Sequence, residues 1–308
     1  MGNLLTCCVS HVSNSVHRLL SSEDLSQVST GLRGILRGEP INLIFGICFN
    51  RSRSWTVREN NLHYIDDDEN RPNAYENAIK IIGRTVNDIN PDYQSIYCFG
   101  FGDATTHHLD VFRFSNEPCN GVEEAVKQYR HAAKTARPTE RVSYGPIIRK
   151  ATCIASEDRD KHHVLVIIAS EPVTRSFDIK RGQLSPDEEN TYRAIKDARN
   201  FRLSIVLVGV GETNANMKNG LGISRCCKYN NFKFVDYTQI MRDSPLGRRE
   251  TDFCVAVTEN LPSQIRKRAS FSILIPAEVP SSVDYPPLLT SSPNATQPCL
   301  PDADTSLV

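Results

Sequence analysis

No stretch of the chain approaches the roughly 18 consecutive apolar residues of a membrane-spanning helix. An excess of one charge is also missing. The 36 basic and 36 acidic side chains cancel, so the electrostatic footprint of a nucleic-acid-binding domain is absent and no nucleic-acid partner is expected. Cysteine is plentiful at 10 residues, yet no Cys-x-x-Cys pair occurs, which argues against zinc fingers, ribbons and RING modules. Gly-x-Ser-x-Gly, the P-loop and His-Glu-x-x-His are missing too. With them go the usual marks of serine hydrolases, nucleotide hydrolases and zinc proteases. The adjacent pairs His107–His108 and His162–His163 do not fill the gap, because neighbours on a strand point to opposite faces. The opening residues have no long apolar core, so no secretory leader is expected and the thiols are read as free, in a reducing compartment.

What is present is a regular alternation of elements. Residues 41–49, "INLIFGICF", form a near-continuous apolar run, as a strand buried on both faces should. Similar runs recur at 95–103, 162–170 and 203–211, with shorter ones at 110–115 and 232–237. Between them lie helical signals. Asn73 and Glu76 read as a capping box ahead of Tyr75, Ala78, Ile79, Ile82, Val86 and Ile89. Asn120 is expected to cap a second helix, and Ser185-Pro186-Asp187-Glu188 to open a later one. A helix is also expected from about Ser143, and another over about 250–260. The pattern predicts a doubly wound α/β fold, its sheet mostly parallel with helices on both faces. Ligands of such sheets sit at the carboxyl ends of the strands. That singles out the loops after Phe49, around 140–146 and after Ala169. Residues 1–39 are expected to be a flexible, acylated segment and 40–275 the domain. Residues 276–308, with seven prolines and no Lys or Arg, are expected to be a disordered tail.

The order of phrases such as "NLIFGICF", "NAYENAIKIIGRT", "YCFGFGDATTH", "LSPDEENTYRAI" and "RRETDFCVAVTENLPSQ" resembles a von Willebrand factor A domain of the copine type. It is most similar to the copine-like domain of plant RING-domain ligases. The resemblance implies a metal-ion-dependent adhesion site, with Asp-x-Ser/Thr-x-Ser after the first strand, a Thr from a second loop and an Asp from a third. On this chain those positions carry Cys48, Asn50 and Ser52, then Val142, then Ser170 with Glu171 beside it. Mg²⁺ takes hard oxygen ligands and sheds water reluctantly; a thiol is soft and a valine has no donor. A degenerate site is therefore expected, with no metal and no other cofactor. The alternative is a cation site rebuilt by Glu171 or by Asp66–Glu69.

The resembled ligases carry a RING module and copines carry C2 domains; neither pattern is found here. The chain is accordingly expected to be no enzyme, but a membrane-tethered adaptor or scaffold that binds proteins. The alternatives are a component of ubiquitin ligation, or Ca²⁺-dependent phospholipid binding as in copines. The partner-binding rim is expected at the sheet's carboxyl edge, with Arg51, Ser52, Arg53, Arg141, Glu171 and Arg175, the arginines taking an acidic partner. "MGNLLT" fits N-myristoylation at Gly2, and Cys7 and Cys8 offer palmitoylation, two acyl signals for stable anchoring. The expected location is the cytoplasmic face of membranes, chiefly the plasma membrane, with a cytosolic pool. Ser306 and Val308 fit a carboxy-terminal ligand of a PDZ protein.

Overall fold

A computed structural model describes residues 25–36, 40–50, 61–66, 71–91, 95–180, 182–212, 217, 225–226 and 228–265. Gly2, Cys7, Cys8, Arg51, Ser52, Arg53, Ser306 and Val308, and the expected tail, lie outside the described residues. Seven strands form one sheet: β1 (Ile41–Cys48), β2 (Ser95–Phe101), β3 (Phe112–Arg113), β4 (Cys119–Asn120), β5 (His162–Ala169), β6 (Leu203–Gly209) and β7 (Phe232–Asp236). Their order is β3-β2-β1-β5-β6-β7, with β4 also pairing β2. The five long strands run parallel, and β3 and β4 run antiparallel to β2.

Helices among the described residues include α1 (Leu25–Leu36), α2 (Ala74–Ile89), α3 (Val122–Thr135), α4 (Gly145–Glu157), α5 (Pro186–Ala198), α6 (Tyr237–Asp243) and α7 (Arg249–Thr258). Alternation along β1 splits the core into two layers. Leu43, Phe45 and Ile47 join residues of α1, α2, α3 and α7 on one face. Ile44 and Cys48 join residues of α4 and α5 on the other. All eight residues of β1, β5 and β6's seven are buried, which is why they read as unbroken apolar runs. Gly46 lets α4 approach β1: a Cβ there would stand 2.5 Å from Ile147 Cγ1.

The capping boxes at Asn73 and Ser185 form as expected. The one expected at Asn120 does not. The N-cap of α3 is Gly121, at φ +83°, a backbone conformation that suits glycine. Asn120 belongs to β4, and its amide donates to Glu124 Oε2 at 2.6 Å. The expected start of order at residue 40 also needs correction. α1 precedes it, with Val28 and Leu32 buried one turn apart.

The chain leaves β1, forms β2 on one side, then crosses to β5 on the other. The sheet's switch point therefore falls at the carboxyl ends of β1 and β5, between Cys48 and Ser170.

Candidate functional site at the carboxyl edge of the sheet

The loops expected to meet do meet. Cys48 is fully buried at the end of β1 and donates its thiol to Asn50 Oδ1 at 3.3 Å. Asn50 is also buried. Beyond β2, Gly102 turns at φ +75°. A Cβ on it would lie 3.4 Å from Cys48 Sγ, 3.4 Å from Val142 Cγ2 and 3.5 Å from the Asn50 amide. Three loops thus converge to within the span of one methyl group at Gly102. Val142, 1% exposed, presents a methyl where the resembled domains place a hydroxyl.

Its backbone is pinned from both sides. Thr174 Oγ1 accepts from the Val142 amide at 2.7 Å, and the Thr174 amide donates to the Val142 carbonyl at 3.0 Å. Tyr144 reaches across the edge and donates to the Glu171 carbonyl at 2.6 Å. Ser170 is buried beside Tyr75, whose hydroxyl points at it without a well-aligned hydrogen bond. Burial pushes the Cys48 thiol up to about 12, opposed by its bond to Asn50 and reinforced by the charge of Glu171. Burial, the Cys48 thiol and Glu171 likewise raise Tyr75 and Tyr144. The groups at this position are neutral, apart from Glu171.

The rim outside them is ionic. Arg141 meets Asp187 in the first turn of α5 through two bonds, at 2.7 and 3.3 Å. Arg175 donates to Glu188 at 2.6 Å and to the carbonyls of Gln183, Ile179 and Lys180 at 2.7, 3.4 and 3.0 Å. Arg141 therefore ties the loop before α4 to the N-terminus of α5, which already favours the acids, and Arg175 folds the β5–α5 loop onto that same helix. The apex of that loop carries Phe177, fully exposed. Sequence reasoning passed over it, although an aromatic among Arg175, Ser176, Asp178 and Lys180 is a visible signal.

His63 was passed over as well. It is buried behind the end of β1, stacked between Phe49 and Tyr75 with centroids 4.8 and 3.9 Å away. Its Nε2 lies 3.1 Å from the Cys48 carbonyl, which can only accept, so Nε2 carries the proton. Nδ1 then accepts from the Tyr129 hydroxyl at 3.0 Å, and that oxygen accepts from Asn73 Nδ2 at 3.2 Å. Burial lowers the imidazole to about 3, against the carbonyl's opposing effect. The other histidine pair is structural: His162 contacts Ser204 Oγ at 2.8 Å and His163 contacts Asn42 Nδ2 at 3.2 Å.

No set of three or more His, Cys, Asp or Glu side chains among the described residues is arranged to hold a metal ion. The carboxylate in the loop after β2, Asp103, accepts from Thr105 Oγ1 and from the amide and hydroxyl of Thr106, so it closes its own turn. No helix among the described residues is long and apolar enough to cross a membrane.

A protein-family model described as Copine matches residues 61–276. The E3 ubiquitin-protein ligase RGLG1 of Arabidopsis thaliana is 37% identical over 293 residues, covering 92% of this chain and 59% of the ligase. The E3 ubiquitin-protein ligase RGLG3 of the same plant is 40% identical over 258 residues, covering 80% of this chain and 68% of the ligase. Among solved structures, a von Willebrand factor type A protein from Catenulispora acidiphila matches with a TM-score of 0.39 and 8% identity, over 74% of this chain and 43% of that one. The relatives overturn the expectation that this chain is no enzyme, which rested on missing zinc ligands. The proteins it matches at 37% and 40% identity are ligases by name.

Proposed function

The chain belongs to the copine family, and on that premise we propose that its domain is the protein-recognition part of a ubiquitin-ligating system. In this reading it meets its partner at the carboxyl edge of the sheet without a bound metal. The observation that carries the metal-free part is the donor set at the expected ligand position, where the buried Cys48 thiol and Val142 methyl both face Gly102. A protonated thiol, a methyl group and a serine do not fit Mg²⁺. The ion needs charged or polar oxygens to replace its water. Glu171 alone would have to supply the negative charge. The donor set therefore disagrees with the cofactor of the resembled sites.

The ubiquitin part is supported by the named relatives, of which this chain covers 59% and 68%. Recognition then falls to the loops themselves. The β5–α5 loop is held by Arg175 and offers Phe177, a rigid aromatic of the kind that anchors interfaces. Membrane attachment through acylated Gly2 with Cys7 or Cys8 belongs to the same proposal, because two acyl chains together hold a protein stably. It rests on the "MGNLLTCC" opening. Gly2→Ala should move the protein from the membrane to the soluble fraction; an unchanged fractionation removes this part.

Proximity labelling with wild type and Phe177→Asp tests recognition. The expected result is a set of partners rich in ubiquitin conjugates, captured equally in Mg²⁺ and in EDTA and depleted by the variant. Phe177 is fully exposed, so a loss in the variant does not come from unfolding. Partners that vanish in EDTA overturn the metal-free reading. Partners without ubiquitin conjugates overturn the ligase connection.

A further inference from the structure

Two cysteines far from the rim lie together at the sheet's margin. Cys119 opens β4 and pairs with Ile96 on β2. Cys98 follows Ile96 by two residues, so it projects from the same face. All three belong to the same core layer. Cys98 and Cys119 are therefore diagonal neighbours across an antiparallel pair, the arrangement in which side chains still reach each other.

The local chain holds them there. The Phe114 amide donates to the Cys98 carbonyl at 3.1 Å, fixing the start of the turn from β3 to β4. Ser115 Oγ lies 3.8 Å from Cys119 Sγ. The neighbouring Cys98, helped by Ser115, brings the Cys119 thiol down to about 7 despite burial, while Cys119 and burial raise Cys98. One member of the pair is thus nucleophilic near neutral pH, and the other is its protonated neighbour.

We infer that Cys98 and Cys119 form an oxidisable dithiol, which closes to a disulfide and staples β4 to β2 when the protein meets a peroxide. The Cys119 thiolate attacks a peroxide oxygen, giving a sulfenic acid and, after protonation, water. The Cys98 sulfur then attacks the sulfenic sulfur, forming the S–S bond and releasing a second water. Two thiols and one hydrogen peroxide become one disulfide and two waters. Both sulfurs are shielded, with Cys119 at 0% and Cys98 at 7% exposure. Access comes by local opening: β3 and β4 are two residues each and form the sheet's edge, where opening costs least. The same freedom lets the two Cβ atoms close to the about 4 Å that a disulfide requires.

Arg113 lies between the two cysteines, so trypsin separates them. The full-length protein is treated with hydrogen peroxide, alkylated, digested and mapped by mass spectrometry. The expected product joins the peptides of Cys98 and Cys119, is lighter by two hydrogens, and separates again with dithiothreitol. Cys254, buried in α7, should remain a thiol. In Cys98→Ser the expected product is a sulfenic acid at Cys119, trapped by dimedone. The oxidised wild type should melt higher by roughly 5 °C or more, because the bond closes a loop of about 20 residues. Unlinked thiols at both positions, a cross-link to another cysteine, or a sulfinic acid at Cys119 without a cross-link would each overturn the inference.

Discussion

Cys48 and Phe49 are neighbours, yet the two sides of the sheet that they face have been built oppositely. On the Cys48 side, where the resembled domains gather polar ligands, a buried thiol and a valine methyl face a glycine. On the Phe49 side, a buried histidine keeps two good hydrogen bonds and sits between two aromatic rings. Polarity has left the place where a ligand would use it and has stayed where it braces the strand. The His63 bond to the Cys48 carbonyl joins the two sides, so the end of β1 is held from behind by a buried imidazole. In the proposed reading, an edge fixed in this way sets its loops without an ion.

The bracing side should be the more costly to disturb. His63→Ala removes a ring from a stack and strands the Tyr129 hydroxyl and the Cys48 carbonyl. A loss of about 3–5 kcal/mol is expected in urea unfolding. A loss under 1 kcal/mol would show that the network is idle and erase the contrast.

The opposite side can be rebuilt toward the resembled site. Cys48→Asp with Val142→Thr and Ser170→Asp places two carboxylates in a buried position beside Glu171. Without metal this variant should lose about 2–4 kcal/mol, and it should regain part of that in millimolar Mg²⁺. If the apo variant keeps wild-type stability, the wild-type position is less closed than its contacts imply.

Acid reads the bracing side through His63, with His163 of β5 as a second titrating group on the other face. His63 titrates near 3 in the fold and His163 near 4, both below the ordinary 6.5, chiefly through burial. Both are neutral in the folded chain. Their stabilisation is complete above about pH 6.5. It drains away as the pH falls toward 4 and then 3, because the unfolded chain binds protons that the fold refuses. Each contributes a slope of about 1.4 kcal/mol per pH unit in that window. His63→Phe should halve the combined slope between pH 6 and 5; an unchanged slope would place the titration elsewhere. The smallest effect belongs to the rim. Phe177→Ala should change stability by less than about 0.5 kcal/mol while reducing partner capture. Equal capture would remove Phe177 from the recognition surface.

The sequence announced the strands well because β1, β5 and β6 are buried on both faces and carry no polar break. It announced the α2 and α5 starts because Asn73 and Ser185 carry their caps in local sequence, with Glu76 and Glu188 three residues on. It misled at Asn120 because the deciding quantity was a backbone angle at Gly121. The site positions were legible from their order along the chain. What those residues touch was not. Arg141 finds Asp187 and Arg175 finds Glu188 only once α5 docks, and from sequence alone both arginines looked like free cations. His63 was invisible for the same reason: its partners are Tyr129, in the middle of α3, and Asn73, the N-cap of α2, and no periodicity points to a lone histidine in a loop. The helix before β1 shows the converse, since its Val28–Leu32 spacing was readable but its surroundings looked too polar to fold.

Calorimetric titration of the wild-type protein with Mg²⁺, beside the variant carrying Cys48→Asp, Val142→Thr and Ser170→Asp, tests the central claim most directly. The account predicts no saturable heat for the wild type up to millimolar Mg²⁺ and binding by the variant. Micromolar binding by the wild type would contradict it.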